Sequence, residues 1–216
     1  MDRVKVGVLI SGRGSNLQAL IDAAAAPDYP AEIALVISNI PEVYGLERAR
    51  AAGIETATLP HNNYPDRATF EQALAHALRE AGCEIVCLAG FMRVLGGAFV
   101  AQWPNRMLNV HPSLLPSFKG LHTQRKALEA GVTLAGCSVH IVTPDLDDGP
   151  ILAQAAVPVL PGDTEDSLSA RILEQEHRIY PAALAWLASG QVRIEGRRAI
   201  LDNADRQPEA LVMPPV

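Results

Sequence analysis

The sequence predicts an α/β fold: a doubly wound, mostly parallel sheet with helices on both faces and an antiparallel hairpin near one edge. Two observations predict it. Short apolar runs alternate with longer amphipathic runs, and the apolar runs are hydrophobic nearly throughout, as expected of parallel strands covered on both faces. Two later apolar runs are joined by a short acidic loop, and so short a connection requires antiparallel pairing.

The elements follow in order along the chain. Each strand is a short run rich in Val, Ile, Leu or Ala, and we place strands at 4–10, 33–38, 55–59, 85–89, 107–110, 135–142 and 151–157. Each helix has apolar residues at helical spacing, and we place helices at 16–25, 45–52, 67–81 and 167–188. Gly53 and Gly82 follow two of these helices, where glycine commonly ends a helix. Residues 192–201 are predicted to form a short hairpin.

Length and composition predict a single domain over 1–202, followed by a loosely ordered tail over 203–216. The 216 residues suffice for one well-buried domain, and 49% hydrophobic with 19% charged residues is typical of a globular protein. No apolar run approaches the roughly 18 residues needed to cross a bilayer, and the apolar start is too short for a secretion signal. We therefore expect a cytoplasmic protein without a membrane partner.

Charge and cysteine content narrow the classes of partner. The net charge of -6 gives no reason to expect a nucleic-acid partner, because phosphate-backbone binding needs clustered Lys and Arg. A small anion can still bind locally. The three cysteines, Cys83, Cys87 and Cys137, form no CxxC pair, and we interpret them as reduced residues, the last two buried in the core. No cluster of Cys and His indicates a metal site.

A glycine-rich turn, Ser-Gly-Arg-Gly-Ser-Asn at 11–16, joins the first strand to the first helix. A helix N-terminus with free N–H groups attracts anions, and glycines let a phosphate approach the backbone. A dinucleotide site is not indicated, because Leu17 replaces the third glycine of GxGxxG and the second strand ends in Ser-Asn rather than an acid. A single phosphate held by Gly14, Ser15 and Asn16 fits better. A plain strand-to-helix turn is the alternative.

Polar side chains follow the fifth predicted strand, where ligands bind in open α/β sheets. Asn109 and His111 are two residues apart, so a strand places both on the same side. Asn supplies a neutral donor and His a group that can carry a proton near neutral pH, a combination that stabilises a tetrahedral oxyanion. The acidic loop 144–150 offers a carboxylate that would orient the imidazole and favour its charged form. A structural histidine and a solvated turn are the alternatives.

Four motifs together resemble the phosphoribosylglycinamide formyltransferases. The motifs are Ser-Gly-Arg-Gly-Ser-Asn-Leu at 11–17, Leu-Ala-Gly-Phe-Met-Arg at 88–93, Asn-Val-His-Pro-Ser-Leu-Leu-Pro at 109–116 and Leu-Asp-Asp-Gly-Pro at 146–150. They occur in the family's order over about residues 4–190. The resemblance implies the formyltransferase fold, in a monomer or homodimer. It also implies transfer of a formyl group from 10-formyltetrahydrofolate, a co-substrate, to the amine of glycinamide ribonucleotide in purine synthesis, without a metal.

The resemblance also assigns roles to particular positions. Asn109, His111 and Asp147 match the family's catalytic trio. The residues that match its binding sites are Gly14, Ser15 and Asn16 for the substrate phosphate, Glu176 for the glycinamide substrate, and Arg67, Met92, Arg93, Val94, Leu95 and Asn109 for the folate. Two departures, Ile141 and Pro144, stand where many relatives carry an aromatic and an acid. Because Asp145 and Asp148 are also acids, the choice of Asp147 depends on its place in the Asp-x-Gly-Pro spacing.

Three other functions stay open at this point. Methionyl-tRNA formyltransferases share the trio, but they resemble longer chains with an added tRNA-binding domain, and this chain is short and acidic. Formyltetrahydrofolate hydrolases carry a regulatory domain before the catalytic one, whereas the first strand here begins near residue 4. A nucleotide-binding regulator would need the glycine turn but would leave the trio without a use. Formyl release with and without glycinamide ribonucleotide separates these possibilities.

Overall fold

The computed structural model describes residues 3–202, which form nine strands and six helices. The strands are β1 (Val4–Ile10), β2 (Ala31–Ser38), β3 (Glu55–Thr58), β4 (Ile85–Leu88), β5 (Met107–His111), β6 (Leu134–Ile141), β7 (Ile151–Pro158), β8 (Val192–Glu195) and β9 (Arg198–Leu201). The helices are α1 (Ser15–Ala24), α2 (Tyr44–Ala51), α3 (Arg67–Glu80), α4 (Gly97–Val100), α5 (Thr123–Glu129) and α6 (Glu165–Ala188). A 3-10 turn lies at His61–Asn63.

All nine strands belong to one sheet with the order β3-β2-β1-β4-β5-β6-β7-β9-β8. The first five strands pair in parallel, whereas β6 is antiparallel to both β5 and β7. The mostly parallel sheet with an antiparallel hairpin is therefore confirmed. The β8–β9 hairpin, predicted as a local feature, also joins the sheet, because β9 pairs with β7.

The strand order creates a crevice at one end of the sheet. From β1 the chain proceeds outward to β2 and β3, then returns to place β4 and β5 on the other side of β1. The loops after β1 and β4 thus leave the sheet in diverging directions, and open α/β sheets bind ligands at such a point. The glycine turn 11–14 and the segment 89–96 flank this crevice.

Helices cover both faces of the sheet, as predicted. Leu17 and Leu20 of α1 and Leu184 of α6 pack on one face, and Phe70 and Leu74 of α3 pack on the other. All five are at most 3% exposed, and burying one such side chain contributes about 1.5–3 kcal/mol. The two layers hold the strand ends of the crevice in place.

Capping explains where the two longest helices start. Asp66 accepts a hydrogen bond from the Thr69 amide at 2.8 Å before α3, and Thr164 and Ser167 form a reciprocal capping box before α6. The predicted helix over 167–188 therefore begins two residues earlier. Three short helical segments, α4, α5 and His61–Asn63, were not predicted, because two turns or fewer give too few residues to reveal a periodicity.

Three other sequence-based predictions concern the cysteines, a membrane span and the C-terminal tail. Cys83, Cys87 and Cys137 are all buried and unpaired. In the part of the chain that the structure describes, no helix is both long and apolar enough to cross a bilayer. The predicted tail over 203–216 lies outside the described residues, so the domain boundary at 202 stays a prediction.

Candidate active site

Asn109 and His111 lie at the carboxyl end of β5, and the antiparallel partner strand brings a second histidine beside them. In the register of β5 and β6, Asn109 is opposite His140 and His111 is opposite Ser138. The Asn109 Nδ2 atom lies 3.1 Å from the Nε2 atom of His140. Asn109 was predicted from the sequence of β5 alone. It is positioned by His140 of β6, a residue that the prediction did not include.

The hydrogen bonds of His140 assign both its tautomer and the orientation of Asn109. Its Nδ1 atom lies 2.9 Å from the carbonyl oxygen of Ile141, which only accepts, so Nδ1 carries the proton. The unprotonated Nε2 atom then accepts from the Asn109 amide. Burial holds the pKa of His140 below its ordinary value, which keeps the ring neutral at pH 7. The second N–H of Asn109 is left for a ligand.

Asp147 approaches both histidines from the loop between β6 and β7. Its Oδ2 atom lies 3.5 Å from Nδ1 of His111, and its Oδ1 atom lies 3.7 Å from Nε2 of His140. The Gly120 amide donates to Oδ2 at 2.9 Å. The Asp147 and His111 side chains are each only 8% exposed, so their attraction is weakly screened by solvent. The structure thus brings the predicted trio together.

His111 faces an oxygen acceptor at each ring nitrogen. Besides the Asp147 carboxylate at Nδ1, the carbonyl oxygen of Phe118 lies 3.1 Å from Nε2. A carbonyl only accepts, and so does an ionised carboxylate, so each of these partners can only accept a hydrogen bond from the ring. His111 thus has an oxygen at both ring nitrogens, whereas His140 has an oxygen at Nδ1 and the Asn109 amide at Nε2.

The trio lines a cavity of about 670 Å³ at the strand ends. That volume lies within the range of small-molecule sites. Four of the predicted folate residues, Met92, Arg93, Val94 and Leu95, also line it. Met92 and Val94 are 65% and 58% exposed, and apolar side chains clustered at the mouth of a cavity are typical of a ligand-binding surface.

The predicted phosphate loop has the conformation that its glycine requires. Gly14 has φ +69 at the N-terminus of α1, and a Cβ there would lie 2.7 Å from Cα of Gly45 in α2. No other residue fits this close backbone contact without displacement. The first-turn amides of a helix, here from Ser15 onward, have no intrahelical acceptor and form the kind of site that binds phosphate.

Ser11 links the glycine turn to the cavity wall. Its hydroxyl donates to the side-chain oxygen of Asn39 at 2.5 Å and accepts from the Met92 amide at 2.8 Å. One side chain thereby connects the ends of β1, β2 and β4. Asn39, which stands where a dinucleotide fold carries its ribose-binding acid, is buried and bonded within the protein.

Glu176 lies next to the phosphate loop rather than in the cavity wall. Its Oε2 atom accepts from the Asn16 side-chain amide at 2.7 Å. Glu176 is 5% exposed, and burial raises the pKa of its carboxyl while the Asn16 hydrogen bond opposes that change. The Asn16 Oδ1 atom is buried without a hydrogen-bond partner among the described residues. The pair therefore offers an acceptor to a ligand at the loop.

Arg67 lies outside the residues that line the cavity. Its Nε atom is 3.6 Å from the carboxylate of Glu71, which also accepts from the Gly96 amide at 2.7 Å. Glu71 is buried and Arg67 exposed. Arg67 therefore lies beside Gly96, the residue after the Met92–Leu95 segment, at the rim of the site. Its predicted role with folate stays a prediction.

Sequence reasoning did not identify His140, although a signal was present. Ser138 and His140 are polar residues two apart in an otherwise apolar strand, the same spacing that identified Asn109 and His111. The pairing of the two strands decides which polar residues meet, and that register is not visible in either strand alone. Glu71, a buried acid within an amphipathic helix, was also missed. Its contact with the Gly96 amide joins two separate elements and is not visible in the sequence of the helix alone.

This arrangement belongs to a known class of proteins. Residues 4–184 match the family model for formyl transferase, and the chain belongs to that family. The resemblance predicted from the four motifs is thereby confirmed. The structure also superposes on glycinamide ribonucleotide transformylase 1 from Symbiobacterium toebii, with a TM-score of 0.91 and 51% identity over 93% of this chain and 95% of that one.

Two curated relatives differ in how much of them the chain covers. Phosphoribosylglycinamide formyltransferase of Escherichia coli is 46% identical over 206 residues, which are 95% of this chain and 97% of that protein. The trifunctional purine biosynthetic protein adenosine-3 of Bos taurus is 53% identical over 192 residues, or 89% of this chain. The chain spans only 19% of the length of that larger relative.

Proposed function

We propose that this chain transfers the formyl group of 10-formyltetrahydrofolate to the amine of glycinamide ribonucleotide. The observation that carries the proposal is the meeting of Asn109, His111 and Asp147 in the wall of one cavity at the strand ends. A neutral amide donor, a histidine placed between two oxygen acceptors and a buried carboxylate suit a reaction that develops negative charge on a carbonyl oxygen. The names of the most similar relatives agree with this reaction.

The folate would occupy the cavity of about 670 Å³. The apolar side chains at its mouth, Met92, Val94 and Leu121, suit the faces of a flat aromatic ring system. Arg93 and Arg67 are exposed cations near the rim, and they would meet the carboxylates of the glutamyl part. Binding across the strand ends would place the formyl carbon near Asn109.

The phosphorylated amine would bind on the other side of the trio. Its phosphate would accept from the loop amides at Gly14, Ser15 and Asn16. Glu176 is positioned to accept from hydroxyl or amine groups of the same substrate, since its carboxylate already contacts Asn16. Holding both substrates in one crevice supplies much of the acceleration, because attack then becomes an intramolecular event.

The chemical step needs no covalent enzyme intermediate. The neutral amine attacks the formyl carbon, a new C–N bond forms, and the carbonyl electron pair moves to oxygen. The second N–H of Asn109 donates to that oxyanion, and the charged ring of His111 stabilises it electrostatically. A proton passes from the attacking nitrogen to N10 of the folate, whose bond to the formyl carbon breaks as the carbonyl re-forms. Asp147 keeps the charged ring oriented and can relay protons through water.

Formyl-transfer assays test the proposal. Purified protein should release tetrahydrofolate from 10-formyltetrahydrofolate only when glycinamide ribonucleotide is present, with one formylated product per folate. Release without the acceptor would instead identify a hydrolase, and transfer to methionyl-tRNA would identify the tRNA-dependent reaction. Absence of any release, with the folate still bound, would favour a regulator.

We further propose that the chain works in the cytoplasm without a nucleic-acid or membrane partner. The net charge of -6 and three unpaired, buried cysteines support this location. The chain would act as a monomer or a homodimer, and sedimentation at assay concentrations distinguishes the two.

A further inference from the structure

The position of Asp147 depends on a loop that is held in an uncommon conformation. Asp147 has φ +47, in the left-handed region that non-glycine residues rarely adopt. Such a conformation persists only where the surroundings hold it. The carboxylate itself is anchored by the Gly120 amide and by its contact with His111. Contacts elsewhere in the loop must therefore maintain its place.

The neighbouring residue, Asp148, supplies such contacts. Its carboxylate pairs with Lys119 through one oxygen and with Arg197 through the other, at 2.7 Å for the Arg197 contact. The Arg197 guanidinium also donates to the Asp148 carbonyl oxygen at 3.2 Å. One residue thus connects the acid loop to the segment before α5 and to the turn between β8 and β9.

The segment that contains Lys119 contacts both members of the His111–Asp147 pair. On one side of Lys119, the Phe118 carbonyl faces Nε2 of His111, and on the other side the Gly120 amide donates to Asp147. Phe118 and Gly120 also have positive φ, +54 and +77. The Lys119–Asp148 pair therefore closes a ring of contacts around the catalytic pair.

We infer that Asp148, held between Lys119 and Arg197, is a positioning residue that keeps the Asp147 carboxylate against His111. This inference rests on the proposed function. An isolated exposed ion pair contributes little, but here two cations and a backbone hydrogen bond converge on a single residue that is directly bonded in sequence to Asp147. Hydrogen bonds from Arg197 and Lys119 also hold the pKa of Asp148 below its usual range, so it is charged at every assay pH near neutrality.

The primary test compares Asp148→Asn with Arg198→Met. Arg198 is exposed on the same hairpin and makes no ion pair within residues 3–202, so its replacement removes the same charge as Arg197→Met without breaking an ion pair. We expect Asp148→Asn to lower kcat about three- to tenfold with both KM values unchanged. Arg197→Met should lower kcat to a smaller extent, and Arg198→Met should match the wild type.

A double variant separates positioning from general destabilisation. If Asp148 acts through Asp147, adding Asp148→Asn to Asp147→Asn should cause no further loss of kcat. A full additional loss would overturn the inference, and so would equal kcat values for Asp148→Asn and Arg198→Met. Lys119→Arg, which keeps the charge, should retain most of the activity that Lys119→Met loses.

A spectroscopic measurement keeps this inference distinct from the proposed function. The ring nitrogens of His111, observed by ¹⁵N NMR, report its contact with Asp147 even if no formyl transfer occurs. We expect their signals to shift in Asp148→Asn and to stay unchanged in Arg198→Met. A wild-type protein without transfer activity would refute the proposed function alone, whereas unshifted His111 signals in Asp148→Asn would refute the positioning role.

Discussion

Replacing His140 by Leu should disrupt the orientation of Asn109 without touching the predicted trio itself. His140 is 2% exposed, and its Nε2 atom is the acceptor that the Asn109 amide contacts at 3.1 Å. Leucine fills a similar volume but offers no acceptor. The Asn109 amide would then lose the contact that determines which of its two ends faces the cavity.

The magnitude follows from the cost of an unsatisfied donor. A buried N–H without an acceptor costs about 1–3 kcal/mol, which corresponds to about a five- to 150-fold change in a population or rate. We therefore expect His140→Leu to lower kcat by roughly tenfold or more. The KM values should change little, because the phosphate loop and the cavity mouth are unaltered. Steady-state formyl transfer with each substrate varied in turn measures both quantities.

His140→Gln separates hydrogen bonding from titration. The glutamine side chain can accept from Asn109 through its Oε1 atom but carries no titratable proton, so activity at pH 7.5 should be largely kept. Burial holds the pKa of His140 below 6.5. Neutral His140 therefore contributes stability that is present above about pH 6.5 and is lost as the pH falls through its folded pKa.

Acid should also reduce activity through the same residue. A protonated Nε2 would donate instead of accept, so Asn109 would turn its oxygen toward His140 and present the wrong end to the oxyanion. The wild type should thus lose more kcat and more thermal stability between pH 7.5 and 5.5 than His140→Gln does. His76→Gln, at an exposed position on α3, is the control. Wild-type kcat in His140→Leu, or identical acid profiles for the wild type and His140→Gln, would refute the reasoning.

Three further predictions address the remaining parts of the site. His111→Ala should lower kcat by roughly 10²–10⁴-fold with little change in binding, and a folded variant with normal turnover would remove His111 from the mechanism. Asp147→Asn should lower kcat about tenfold or more and shift the ring ¹⁵N NMR signals of His111, because the group 3.5 Å from its Nδ1 atom loses its charge. Gly14→Val should raise KM for the phosphorylated substrate far more than for folate, and lower stability by about 1–2 kcal/mol from its left-handed backbone alone. Gly12→Ala, where a Cβ meets nothing within 4 Å, is the matched control, and equal KM changes for both substrates would make the loop purely structural.

Much of the fold could be predicted because burial imposes a simple pattern on parallel strands. The run Val4–Ile10 is apolar and buried at its last five positions, as expected of a central strand with helices on both sides. The observed ends of helices and strands differ from the predicted ends by at most two residues. At the start of α6, the capping box at Thr164 determines the first helical residue. The place of the β8–β9 hairpin in the sheet could not be predicted, because within residues 3–202 its backbone pairing with β7 consists of Ile151 with Arg198.

The site could be predicted where its residues share one local element. Asn109 and His111 share a strand, and Gly14 and Asn16 share a turn, so spacing alone brings each pair together. His140 and Asp148 act through contacts between elements, and these depend on strand register and loop conformation. Resemblance to a family added Asp147 and Glu176, yet it did not reveal that Asn16 and Glu176 bond to each other.

Each of the two histidines next to Asp147 contacts one backbone carbonyl, and their side-chain partners differ. His140 has one carbonyl acceptor, at Nδ1, and an amide donor at Nε2, which together require a neutral ring. His111 has an oxygen at each ring nitrogen, the Phe118 carbonyl at Nε2 and the Asp147 carboxylate at Nδ1. Burial is the main cause that lowers the pKa of His140, against the opposing effects of the Ile141 hydrogen bond and of Asp147. Asp147 can therefore orient His111, while the neutral ring of His140 orients the Asn109 amide that we propose donates to the oxyanion. The second task needs only an acceptor at position 140, which is why His140→Gln should keep the activity that His140→Leu loses.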